Sequence, residues 1–65
     1  MQMGKEVSRF GRVSRAEGTS LRARPDAADE VKATLPFNAC VFVSREIPGD
    51  WSFVTLGGGQ SGFVQ

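Results

Sequence analysis

The sequence has no histidine, no tyrosine, a single cysteine and no long apolar run. Without an imidazole, Cys40 cannot form a Cys-His nucleophile, and one thiol supplies too few ligands for a zinc site. A single cysteine also excludes an internal disulfide, so packing alone must hold the fold together. Cys40 is expected as a small apolar strand residue. No stretch approaches the roughly 20 apolar residues of a bilayer-crossing helix, and Met1 to Phe10 contains no apolar segment of signal-peptide length. A metal or cofactor is therefore not expected. The carboxylates fall in expected loops or in the N-terminal lead, unpaired, which argues against acid/base catalysis. An enzyme is not expected either.

What remains is an ordinary globular composition, 40% hydrophobic and 23% charged, in a chain of 65 residues that allows one small domain with a thin core. The net charge of +1 conceals an asymmetry. Residues 1–24 carry Lys5, Arg9, Arg12, Arg15, Arg22 and Arg24 against Glu6 and Glu17, a balance of +4. Residues 25–65 carry Lys32 and Arg45 against Asp26, Asp29, Glu30, Glu46 and Asp50, a balance of −3. The halves are able to attract each other. The basic half also admits polyanion binding, although such runs are more often solvated faces, and nucleic acid is not the expected partner.

Prolines at 25, 36 and 48 interrupt the chain too often for long helices, and no repeat or heptad pattern is present. Short extended runs fit better. Residues 1–10 read as a polar lead, either disordered or lying along the domain, and the domain itself as 11–65, opening with a short strand from Gly11 to Ser14. Leu21 and Ala23 alternate with arginines, and "RPDAADEVK" (24–32) is too short for a stable helix, so an acidic loop is expected. Val31, Ala33 and Leu35 alternate up to "LPFN", where Pro36 suits the first central position of a tight turn and Asn38 its close. "ACVFV" (39–43) and "WSFVTL" (51–56) have strand composition, with "SREIPGD" between them as a loop.

The three consecutive glycines of "LGGGQSG" invite a phosphate-loop reading, which requires a following helix and usually a lysine. Neither is present. The glycines separate two apolar runs at hairpin spacing, so a hairpin turn is predicted. The pattern as a whole predicts an all-β domain, a small closed or nearly closed barrel.

From Gly11 onward the chain resembles a bacterial Src-homology-3 module, over about five sixths of its length. The resemblance rests on "TSLRARP" at 19–25, Val31, "TLPFNACVFV" at 34–43, "GDW" at 49–51, "VTL" at 54–56 and "SGFV" at 61–64. It implies a Src-homology-3-like barrel of five to six short antiparallel strands, and a non-catalytic binding module that recognises a cell-wall (peptidoglycan) peptide or a protein segment. It also implies a secreted or cell-envelope setting. Three departures stand out: Pro25 follows Arg24 directly where the family has a longer loop, Asn38 replaces a common glycine, and the family's last turn and short strand fall beyond Gln65. The expectation is a fragment of a longer protein.

Alternation assigns the faces. The expected interior is Val13, Leu21, Ala23, Val31, Ala33, Leu35, Val41, Val43, Val54, Leu56 and Val64. This leaves Cys40, Phe42, Trp51, Phe53, Thr55 and Phe63 outside, an unusual exposed apolar area. Three outcomes stand open: the lead with Val7 and Phe10, or a parity-reversing bulge, covers it; it forms a ligand groove; or it docks on a neighbouring domain of the parent chain or a second copy. In a groove, Trp51, Phe53, Phe63 and Phe42 are the candidate walls. By the resemblance, Asp26, Asp29 and Glu30 flank Trp51 on one side, with Glu46 and Asp50 on the other.

Overall fold

A computed structural model of the chain describes residues 4–65, which form six antiparallel strands in one sheet and no helix. The strands are β1 (Lys5–Arg12), β2 (Thr19–Arg22), β3 (Val31–Leu35), β4 (Cys40–Ile47), β5 (Trp51–Thr55) and β6 (Ser61–Val64). Their order in the sheet is β1-β4-β5-β6-β2-β3, which makes β1 and β3 its two edges. Beyond β1 the pairing with the β4 side continues into the β3–β4 turn: Val13 N–H donates to the Ala39 carbonyl at 3.0 Å, and Asn38 N–H donates to the Val13 carbonyl at 2.8 Å. The all-β reading holds, and the architecture is that of a small barrel-like sheet.

The expected turns form where their chemistry requires. In the β5–β6 connection, Gly59 N–H donates to the Leu56 carbonyl at 2.9 Å, and Leu56 N–H to the Gln60 carbonyl at 2.7 Å. Gly59 has φ 92°, a left-handed value that closes this hairpin and that side chains resist. Asn38 also adopts a positive φ of 70°, as its tolerance of that region allows. The "LPFN" turn is shifted by one residue, however. Ala39 N–H donates to the Pro36 carbonyl at 3.2 Å, so Phe37 and Asn38 are the central residues and Pro36 precedes them.

Three expectations about the strands require correction, and bulges account for most of the difference. The first strand begins at Lys5, inside the expected lead, rather than at Gly11. Its register against β4 shifts between Glu6 and Arg9, which breaks the sequence alternation that would have revealed it. Residues 1–3 of the lead lie outside the described residues. β4 runs on through Ile47, leaving only Pro48–Asp50 as the loop, because a second shift between Val43 and Arg45 lets it follow β5 to Trp51. A third shift, between Leu21 and Arg22, places Val31 opposite Arg22, where it is exposed instead of filling the core; Ala23 lies beyond the end of β2 and is exposed too.

The core is the cluster Val13, Leu21, Leu35, Val41, Val43 and Val54, with Val7, Ala33, Ala39, Leu56 and Val64 packed around it. Leu21 and Val54 are fully buried. They sit where β2 and β5 approach β6 at Gly62, itself buried.

Candidate functional site

The residues that alternation placed on one outer surface are distributed over separate clefts. Phe53 and Phe63 face each other across β5 and β6, their rings edge to face with centroids 5.0 Å apart. They line an open cleft of about 620 Å³ with Pro25, Arg45 and Ile47. Phe42, on β4, is covered by Phe10 of the neighbouring β1, edge to face at 5.2 Å. Of the three outcomes left open, covering by the segment that holds Phe10 applies to Phe42, and that segment is a strand rather than a loose lead. Phe42, Phe53 and Phe63 are each half-buried, whereas Phe10 remains 81% exposed.

Trp51 departs most from expectation. It is buried at 7% exposure, and so is not an open wall for a ligand. The β4–β5 turn packs over it: a Cβ built at Gly49 would lie 3.4 Å from indole Cδ1. Trp51 lines a cleft of about 290 Å³ with Arg15, Ser20, Arg22 and Thr34, and a second one with the Pro48–Asp50 turn. Phe42, Phe53 and Phe63 line neither.

Of the acidic residues expected around Trp51, Glu46 and Asp50 do line a cleft with it at the β4–β5 turn, whereas Asp26, Asp29 and Glu30 do not reach it. In the β2–β3 loop, Asp26 uses its Oδ1 to accept the Ala28 N–H at 2.9 Å, which shapes the turn. Asp29 receives the Arg24 guanidinium in a forked contact, Nη2 to Oδ1 at 3.2 Å and Nε to Oδ2 at 3.3 Å. Arg22 Nη1 donates to the Asp29 carbonyl at 2.6 Å. Glu30 is exposed, and from this loop only Ala27 reaches the Trp51 cleft. Asp50 is exposed beside Trp51 in the turn, with φ 64°. Glu46 pairs with Arg9 across the β1–β4 seam at 2.8 Å. Both ion pairs thus join the basic half of the chain to the acidic half.

The hydrogen bonds from Arg24, followed by one from the Glu30 backbone, hold the Asp29 carboxyl below the ordinary aspartate value of 3.8. A carboxylate that binds protons less readily folded than unfolded stabilises the native loop above its unfolded pKa and loses that effect as the pH falls through its folded pKa. A carbon-detected NMR titration is therefore expected to give Asp29 a midpoint below 3.8, with Arg24 and Glu30 shifts moving with it. Asp29→Asn is expected to abolish that joint transition. A midpoint at or above 3.8 would contradict the forked contact.

Sequence reasoning did not place any of the basic half beside Trp51. Arg15 and Arg22 line the Trp51 cleft, and the charge asymmetry was the only signal that pointed to them. Among the described residues no group of three His, Cys, Asp or Glu side chains is placed to hold a metal ion. Compared with known proteins, the chain matches no family model, no curated protein and no solved structure.

Proposed function

We propose that the chain is a non-catalytic binding module of the bacterial Src-homology-3 type, which takes a cell-wall peptide or a protein segment on its outer aromatic face. The observation that carries this reading is the pair of edge-to-face phenylalanine contacts, Phe10 with Phe42 and Phe53 with Phe63, on the outside of an all-β sheet. Rings held edge to face, three of them half-buried, present apolar surface that loses little side-chain entropy on binding. The order of "TSLRARP", "GDW" and "SGFV" along the chain supports the family reading.

A second reading is favoured by the exposure of Phe10 on an edge strand. A flat apolar residue beside unpaired strand hydrogen-bonding groups suits docking on a neighbouring domain of a larger secreted or effector protein. Retention of the purified domain on insoluble peptidoglycan separates the two. Wall binding predicts retention that falls about tenfold in Phe10→Ser while the thermal midpoint is preserved. Absence of retention on every wall preparation would sink it, and binding to a flanking segment of the parent chain would establish the assembly reading.

A further inference from the structure

Two adjoining clefts bring together Arg9, Arg12, Arg15 and Arg22. The first, of about 290 Å³, is lined by Arg15 and Arg22 with Trp51. The second, of about 210 Å³, has Arg9, Arg12 and Arg15 on its lining above core side chains that include Val13, Leu35 and Val43. They share Arg15, Thr19 and Gln65 and so form one continuous groove. Arg9 is engaged by Glu46. Arg12 and Arg15 are exposed, and among the described residues no carboxylate pairs with either. Arg22 gives one N–H to the Asp29 carbonyl and keeps the rest of its donors. Glu17 is the one carboxylate on the lining of either cleft.

We propose that this groove binds an extended peptide segment rich in carboxylates. Guanidinium groups present forked donors that match a carboxylate, and several spaced along a groove match a chain of carboxylates better than a single ion. The hydroxyls of Thr19, Ser20 and Thr34 add neutral partners for a peptide backbone. Single-stranded nucleic acid is the weaker fit, because base binding relies on open aromatic faces and the one indole here is buried. Phe10, Phe42, Phe53 and Phe63 line neither cleft, so this reading and the aromatic-face reading fail independently.

Trp51, the only tryptophan, lines the groove, and its emission therefore reports occupancy. An end-blocked hexaglutamate peptide is titrated into the intact domain at low salt, with calorimetry in parallel. The expected result is a saturable emission change that weakens as salt is added. The Arg12→Gln/Arg15→Gln double variant should bind about tenfold more weakly with an unchanged unfolding temperature. Arg45→Gln, on the Phe53–Phe63 side, should bind as the parent does. Any of four results overturns the proposal: no saturable change, equal binding of hexaglutamine, unaltered affinity in the double variant, or tighter binding of an oligothymidylate of equal charge.

Discussion

Gly62→Ala is expected to lower the thermal midpoint by more than about 10 °C, and Gly62→Val to leave the chain unfolded at room temperature. The backbone of Gly62 is not in a left-handed conformation; the constraint is space. A Cβ there would stand 2.7 Å from the Arg22 carbonyl oxygen and 2.8 Å from Leu21 Cγ. Leu21 is fully buried and cannot yield without disturbing the core. The carbonyl belongs to β2, whose ladder to β6 is the single pair Arg22 with Phe63. Relief of the clash therefore means opening the seam that joins β2 and β3 to the rest of the sheet. Overpacking of this kind costs about 1–3 kcal/mol or more, a large share of the roughly 3–5 kcal/mol that a core of this size supplies. Thermal unfolding followed by far-ultraviolet circular dichroism measures it. A midpoint for Gly62→Ala within about 3 °C of the parent would show that the seam is looser than described.

Trp51→Ala is expected to cost about 3–5 kcal/mol, enough to unfold much of the population. The indole is buried beneath the Pro48–Asp50 turn, and its removal leaves a void that a three-residue connection cannot fill. Gln65 anchors the same turn, donating from Nε2 to the Gly49 carbonyl at 2.9 Å. Urea unfolding gives the value directly, and Trp51→Phe should recover more than half of the loss. This result bears on any binding assay. Loss of a ligand in Trp51→Ala would report unfolding, so Phe10→Ser and the arginine variants are the informative substitutions. A Trp51→Ala domain of parental stability that nevertheless fails to bind would return Trp51 to the role of a ligand wall.

Some of these features were legible in the residues themselves because their causes are local. The Gly59 turn and the Asn38 turn follow from backbone preferences that glycine and asparagine carry wherever they occur. Leu21, Leu35, Val41, Val43 and Val54 entered the core as alternation predicts, because each run between irregularities keeps the period of two. The phenylalanine surface was legible by the same rule. The charge asymmetry foresaw attraction between the halves, although not which arginines it would leave over.

Side-chain direction past a bulge was not legible. Register shifts after Glu6, Leu21 and Val43 depend on how partner strands fit, which no window of sequence contains. They hid the start of β1 and turned Val31 outward. Burial of Trp51 has the same origin: a strand-end position that alternation leaves facing solvent is closed over by the adjoining turn. The acidic loop was correctly located, yet its carboxylates were assigned to a ligand when Arg24 and a backbone N–H had already engaged Asp29 and Asp26. Composition and local backbone preference therefore determined by themselves the fold class and roughly where the chain turns, though not the turns' exact registers. Tertiary structure decided the bulges, the buried tryptophan and the meeting of Arg12, Arg15 and Arg22 on one groove, because each depends on segments far apart in the chain.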